Sequence, residues 1–457
     1  MREESKLKRT LGFWDLMAIA VGQIIGAGIM SNTGVGIGMT GTGVVLAFIL
    51  SPVLVLFSII FPNAILGAVA PTTGGAYRYS SRLMGKTAGM FYLLMFTTTN
   101  LMIATLSISF ASYFVSIFTG ANQQLVSIII LTFFFIINLI GVKSAAILNK
   151  IMTVMLIGGL AIFIIFGIGK ADLGYVFDPA NMFRNGPSQF LATVALLSSA
   201  TSGAQILTLM GGEAKDPGKN IPRVMIVSTC VVAVFYVFIA IVAAGVLPVE
   251  QVADQPLTYV AQATMPQMLV YLFVIGGALG ATATTLNSTM SYITKPFLIA
   301  CDDGLLPKSF ASVSKNGVPW KVLTFWFLLG LVPLIGGFSL SFISKFTVAN
   351  SLIVKLMSNV CLVVLIKKYP QLMKKSPFKL SNKATTAVSI AGALVLVILS
   401  YSLFAKLSYK VALFMIVCVV ALVIYSKTVI KNVVLPDDLN VDYVGGQEQE
   451  APSESAK

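Results

Sequence analysis

Apolar residues in this chain come in long, nearly uncharged runs separated by short polar stretches. Twelve runs stand near 13–38, 43–70, 88–118, 124–142, 147–169, 188–211, 222–247, 267–299, 319–337, 341–366, 384–405 and 409–430. Most exceed 18 residues, the signal of a transmembrane helix. Alternation over about ten residues, which a strand of an outer-membrane barrel needs, is not the pattern here. The runs predict an all-α integral membrane protein with twelve transmembrane helices in one domain over 13–431. Residues 1–12, opening MREESKLKRT, read as a polar cytoplasmic tail, and the apolar run behind them is too long for the core of a signal peptide. Residues 432–457 are acidic and rich in turn formers, and read as a disordered cytoplasmic tail.

Composition agrees with this pattern. Apolar residues are 57% of the chain and charged residues 11%, against about 45–50% and about 25% in soluble domains. That excludes an ordinary soluble enzyme and equally a disordered chain. A net charge of +14 would raise the question of nucleic acid in a soluble protein. In a membrane protein it reads instead as Lys and Arg collected in cytoplasmic loops. With the N-terminus inside, 24 of the 31 basic residues fall in inner segments, four in outer loops and three within spans. Both termini are therefore expected in the cytoplasm of a cell whose plasma membrane holds the chain. The chain has no histidine, and its four cysteines are scattered, so no metal site, disulfide or cofactor is expected.

Two runs carry small and polar residues at their centres. The first contains Gly26-Ala27-Gly28, and the sixth contains Ser198-Ser199-Ala200-Thr201-Ser202-Gly203-Ala204-Gln205. Glycine costs about 1 kcal/mol relative to alanine inside a helix, so an unwound stretch is one reading of the first run. Close helix packing through small residues is the other. A matching interruption in the sixth run favours unwinding, because paired breaks in two halves of a chain point to a transporter's binding site. A half-helix that begins at a break offers unpaired N–H groups and suits a carboxylate. One that ends there offers carbonyls and suits an ammonium. A zwitterionic amino acid fits both.

Four ordered segments resemble the amino acid–polyamine–organocation transporters: LKRTLGFWDLMAIAVGQIIGAGIM at 7–30, PTTGGAYRYSSRLMGKTAG at 71–89, GGEAKDPGKNIPR at 211–223 and CDDGLLPKSFASVSKNGVP at 301–319. With the twelve runs, the likeness spans residues 7 to about 430. It implies a five-plus-five inverted repeat with helices one and six broken, repeats at about 13–170 and 188–367, and two extra helices at about 384–430. It also implies that a substrate carboxylate meets the N–H groups of Ala27, Gly28 and Ile29. The ammonium would meet carbonyls of Ile24 and Ile25 and those around Ala200 and Thr201, with Ser202 and Gly203 forming the unwound turn of helix six. Two positions depart from the family pattern. Ser199 stands where an aromatic residue often closes over the substrate. Leu156, three residues after Thr153, stands where many members carry a lysine in place of a sodium ion; Lys150 is nearby, towards the cytoplasmic end.

No acidic residue lies at the centre of a run. Lys355, in ANSLIVKLMSNVCLVV, is the one charge near a centre. It is either a proton or anion site facing a cavity, or a lysine that snorkels or bonds helix carbonyls. Lys345 lies near an outer end, where snorkelling suffices. Lys295 stands before the Asp302-Asp303-Gly304 loop, where an inner-gate or structural role is expected. Asn100 with Thr97–Thr99, and Asn287 with Ser288, either face a cavity or bond across helices. Lys355, Lys295, Lys150, Gln205 and Asn100 are the candidates for coupling or gating.

The expected function is secondary transport of an amino acid across a bacterial plasma membrane by alternating access, as an exchanger or with proton coupling. A membrane-embedded enzyme lacks its nucleophile–base pair or metal cluster in this sequence. A substrate sensor with the same fold remains an alternative, as does a carrier of polyamines, against which the lack of central acids argues. The expected partners are the small-molecule substrate and the lipid bilayer, with no nucleic acid; the oligomeric state is not legible.

Overall fold

The computed structural model describes residues 11–435, apart from Thr73, Thr119, Lys315, Asn316, Ser339, Pro377, Lys379 and 405–408. Most of both expected tails lies outside the described residues. The chain runs through α1 (Phe13–Ile24), α2 (Ala27–Thr40), α3 (Val44–Val55), α4 (Phe61–Val69), α5 (Ala76–Met84), α6 (Lys86–Asn100), α7 (Met102–Ile117), α8 (Gln123–Ile140) and α9 (Val142–Ile168). It continues through α10 (Gly186–Thr201), α11 (Pro217–Gly245), α12 (Gly280–Tyr292), α13 (Lys295–Asp302), α14 (Trp320–Ile335), α15 (Leu340–Lys368), α16 (Asn382–Phe404) and α17 (Tyr409–Thr428). Short helical turns fill the connections. Among the described residues the only β pairing is a bridge between Leu11 and Ala214.

Among the described residues, nine helical stretches are long and apolar enough to cross a membrane. Shorter apolar helices stand at Phe13–Ile24, Trp320–Ile335 and Met415–Thr428. The outward faces agree with a lipid environment. On α8 and α9, Leu125, Ile129, Val154 and Ile165 are all more than half exposed. Such apolar area would invite aggregation in water and is ordinary against hydrocarbon.

Two expectations are corrected. The segment 71–89, which the resemblance makes the loop between helices two and three, contains the nine-residue helix α5, with Tyr77 and Tyr79 fully buried. The C-terminal tail was expected from 432, yet Val433 and Leu435 still pack beside buried Ile430 against the helical body.

The centre of the molecule is α12, whose residues Gly280–Met290 are all buried. A wide π turn over Phe273–Leu279 leads into it and crosses α9 at close range. A Cβ at Gly159 would lie 2.5 Å from Gly277 N, and one at Gly276 would lie 2.7 Å from Met155 O. Only glycine lets these backbones meet, which is how membrane helices gain contact without a hydrophobic driving force. Amides tie the same elements: Asn287 Nδ2 donates to Ala145 O at 2.8 Å, and Asn138 Nδ2 donates to Asn287 Oδ1 at 3.0 Å.

A buried ion pair joins α5 to the end of α13. Arg82 holds Asp303 in a two-pronged grip, Nη2 to Oδ1 at 2.7 Å and Nη1 to Oδ2 at 2.9 Å. Tyr77 Oη also donates to Asp303 Oδ2, at 2.7 Å. The Arg82 and Asp303 side chains are only 2% and 4% exposed. Asp303→Asn should therefore cost about 3–5 kcal/mol, because it leaves a buried guanidinium without its counter-charge. The loss should appear as a lower midpoint of thermal unfolding in detergent. Glu250→Gln, which breaks the exposed pair with Arg184, should leave the midpoint in place. Equal midpoints for the two variants would show that the buried pair does not hold the fold.

Candidate functional site

The helix that begins at Phe13 stops at Ile24. Ile25 (φ −80°, ψ 87°) makes a tight turn, Gly26 (φ −121°, ψ −160°) is extended, and α2 starts at Ala27. The break predicted from Gly26-Ala27-Gly28 is thus present but one step earlier and shorter, because Ala27 and Gly28 already belong to the next helix. The first N–H groups of α2, from Ala27 through Ile29, have no carbonyl four residues back within their own helix. The second break follows α10. Ser202 is extended (φ −96°, ψ 146°), Gly203 follows, and a tight 3₁₀ turn runs over Ala204–Leu209. Ser202 and Gly203 stand between α10 and this turn, the two residues that the family resemblance implies for the unwound stretch.

The two breaks touch. A Cβ on Gly203 would lie 2.9 Å from Gln23 O and from the backbone N and Cα of Ile24. A Cβ on Gly28 would lie 2.9 Å from Ala200 Cβ and 3.1 Å from its Cα. The two glycines therefore let the end of α1 and the start of α2 lie against the end of α10. The amino end of one half-helix and the carboxyl end of another come together at this point.

Side chains from two further helices bind the exposed backbone. Tyr236, wholly buried on α11, donates from Oη to Ile24 O at 3.0 Å and also lies 3.5 Å from Ala200 O. Gly26 N–H donates to the same Ile24 carbonyl at 3.0 Å, so both its lone pairs are used. Thr285 Oγ1 on α12 lies 3.0 Å from Gly22 O and from Ala281 O, and 3.5 Å from Ile25 O. Neither residue was singled out from the sequence. Tyr236 sits in VVAVFYVFIAIV, where only its hydroxyl at mid-span gives a signal. Thr285 is hidden in the polar run GATATTLNSTM. Two amide oxygens beside the breaks, Gln23 Oε1 and Gln205 Oε1, are buried and accept no hydrogen bond.

Lys355 reaches the second break. Its Nζ donates to Ser202 Oγ at 2.7 Å, and the lysine is 8% exposed. Ser202 Oγ in turn donates to Ser199 O at 3.1 Å, so the serine proton points back into α10 and its lone pairs face the ammonium. Among the described residues no carboxylate pairs with Lys355. A charged side chain at mid-membrane costs about 2.5–3.5 kcal/mol on insertion scales. A helix carboxyl end returns at most about 2 kcal/mol.

The remaining candidates fall elsewhere. Lys295 Nζ meets Glu213 Oε2 at 2.5 Å, and Lys150 pairs with Asp15, which also accepts from Gly12 N–H at 3.0 Å. Leu11 lies in the same region, its N–H on Glu213 O at 3.0 Å and its carbonyl accepting from Lys215 N–H at 2.8 Å. Asn100 Nδ2 donates to Phe96 O within its own helix, at 2.8 Å. Asn287 and Ser288 bond Ala145 O and Asn149 Oδ1 across helices, the packing alternative of the two. Ser199 is half-buried and donates to Leu196 O at 2.6 Å. Leu156 is fully buried. The Lys345 side chain lies outside the described residues.

The long apolar helices make this a multi-pass membrane protein, and comparison with known proteins gives its class. A family model described as amino acid permease matches residues 11–428, and the chain belongs to that family. It is 26% identical over 401 residues to the branched-chain amino acid permease BcaP of Bacillus subtilis, covering 81% of this chain and 83% of the relative. It is 24% identical over 409 residues to a D-serine/D-alanine/glycine transporter of Escherichia coli, covering 82% and 84%. It is 26% identical over 283 residues to the serine/threonine exchanger SteT of B. subtilis, covering 61% and 63%. Family and relatives are transporters, and the chain is not an enzyme.

Gly203→Ala places a methyl group against backbone that cannot step aside, and should cost about 1–3 kcal/mol of stability. Gly158→Ala, where a Cβ meets no atom within 4 Å, should cost nothing. Tyr236→Phe should lower stability by about 0.5–1.5 kcal/mol through the lost bond to Ile24 O. Thermal midpoints of the three purified variants check the order, and a neutral Gly203→Ala would mean that the breaks do not touch.

Proposed function

We propose that the chain carries α-amino acids across the plasma membrane by alternating access. The zwitterion binds where the breaks meet, its carboxylate at the N–H groups of Ala27, Gly28 and Ile29. Its ammonium binds at the carbonyl end of α10, around Ala200 and Thr201, with Ile25 O. The observation that carries this reading is the contact of Gly28 with Ala200, which sets the amino end of α2 beside the carboxyl end of α10. The orphaned oxygens of Gln23 and Gln205 add acceptors for a donor-rich ligand. The three relatives are named for three different sets of amino acids. What those sets share is the α-carboxylate and α-ammonium, and those are the groups that broken helices read.

The architecture behind this reading is twelve spans in a five-plus-five inverted repeat with two extra helices. In it α1 with α2 forms the first span, and α10 with the 3₁₀ turn forms the sixth. Both termini face the cytoplasm, in line with the Lys and Arg count. The pairs Lys295–Glu213 and Lys150–Asp15, with the Leu11 bridge, then close the inner side. The driving force is either exchange or a proton gradient.

Purified protein in proteoliposomes loaded with a mixture of unlabelled amino acids should take up labelled amino acid by counterflow. An imposed proton gradient, tested on empty vesicles, separates coupling from exchange. Binding without uptake would make the chain a sensor. Gly28→Val should abolish uptake, since its methyl groups meet Ala200 at the junction, while a monodisperse elution profile shows that the variant still folds. A folded variant with full uptake would sink this placement of the site.

A further inference from the structure

Basic side chains among the described residues are paired with acids, as Arg82 is with Asp303, Lys295 with Glu213, Lys150 with Asp15 and Arg184 with Glu250. Lys355 is different. It is the buried lysine whose one recorded partner is a neutral hydroxyl, Ser202 Oγ at 2.7 Å. An ammonium has three donors, and this contact uses one. Desolvating a cation without a counter-charge is among the least favourable arrangements a fold can hold, and buried charges are normally paired. The place of the lysine matters as much as its isolation. Ser202 is the first residue past the end of α10. The ammonium is therefore fixed at the junction of the two breaks, one residue beyond the Thr201 carbonyl.

We propose that Lys355 is a specificity-determining residue that holds a second, side-chain carboxylate of the substrate, so that the amino acids this protein carries are dicarboxylic, of the aspartate and glutamate type. This rests on the amino-acid reading given above and adds the side chain to it. The α-carboxylate goes to the amino end of α2, a backbone site that every amino acid satisfies equally. The side-chain carboxylate goes to Lys355, and the pair so formed is the counter-charge that the protein itself does not provide. Ser202 orients the lysine: its proton is committed to Ser199 O at 3.1 Å, so it only accepts from Nζ and leaves the other two donors free for the ligand. Ser199, where a bulky ring would crowd this corner, is small and turned into its own helix. Substrates with a cationic side chain meet repulsion at the same point.

The test compares isosteres. In proteoliposomes containing the wild-type protein, unlabelled glutamate, glutamine, aspartate, asparagine, leucine and lysine compete for counterflow of labelled glutamate. Glutamate and aspartate should compete about 10- to 100-fold better than glutamine and asparagine, the factor expected for a hydrogen-bonded charge pair. Lys355→Met should remove that preference by raising the half-saturating glutamate concentration by a similar factor, with glutamine little changed. Lys355→Arg should restore it in part. Equal competition by glutamate and glutamine in the wild type overturns the proposal without any variant. So does a Lys355→Met protein that loses all substrates alike, or one that keeps the preference and loses only accumulation driven by a proton gradient. Wild-type uptake of neutral amino acids with no uptake of glutamate refutes the side-chain assignment and leaves the amino-acid reading standing. Uptake of no amino acid refutes both.

Discussion

Unwound backbone at membrane depth leaves N–H and C=O groups without water to bond them, and each group left bare costs several kcal/mol in hydrocarbon. Much of the centre of this molecule answers that constraint. The two interrupted helices are brought together, so that each break is covered by the other instead of by lipid. Gly28 and Gly203 permit the approach, and the remaining carbonyls receive hydroxyls from neighbouring helices. Tyr236 reaches Ile24 O from α11, and Thr285 reaches Gly22 O and Ile25 O from α12. A tyrosine suits the first task because its ring packs with Phe48, centroids 5.5 Å apart, while its hydroxyl extends to the backbone.

That solution places demands on the helices around it. The helix α12 must be buried on every side to deliver Thr285, so it is built of Gly, Ala, Thr, Ser and Asn rather than of leucines. Its neighbours pack on the π turn leading into it through glycine-to-backbone crossings at Gly159 and Gly276, and on the helix itself through the chain of amides and hydroxyls at Asn138, Asn287 and Ser291. Helices farther out, such as α8 and α9, carry the large apolar side chains on their outer faces. Polarity thus rises inward, the reverse of a soluble protein, because the surrounding solvent is apolar.

This inversion explains what the sequence made legible. The long apolar runs at 13–38 or 222–247 announce helices directly, since nothing but length and lack of charge is needed. The interruption within Ser198–Gln205 was legible because small polar residues are out of place at mid-span, while Ser202-Gly203 as its turn was implied by the family resemblance. The first break was located one residue late, since glycine marks where a helix is permitted to stop and the packing partner, here Thr285 against Gly26, decides where it does. A Cβ at Gly26 would lie 2.7 Å from Thr285 Oγ1, a contact no single-segment pattern contains. Tyr236 was illegible for the same reason: its hydroxyl has a purpose only once the end of α1 lies beside it. Asn287 and Asn100 show the converse, polar residues at mid-span that serve packing and their own helix.

The contacts of α1 are more mixed than those that hold α9 to the π turn before α12. Besides its buried apolar face and the approach of Gly203 to its end, the helix is held by separable polar groups: the Leu11 bridge, the Asp15–Lys150 pair, the Tyr236 hydroxyl and the Thr285 hydroxyl. A hydrogen bond of this sort is worth about 0.5–1.5 kcal/mol net, and an exposed ion pair less. The crossing of α9 and the π turn over Phe273–Leu279 instead rests on backbone packed against backbone at Gly159 and Gly276, where displacement loses close contacts. Two residues, Ile25 and Gly26, are all that connect α1 to α2. The proposed ligand site lies where this short connection meets the end of α10.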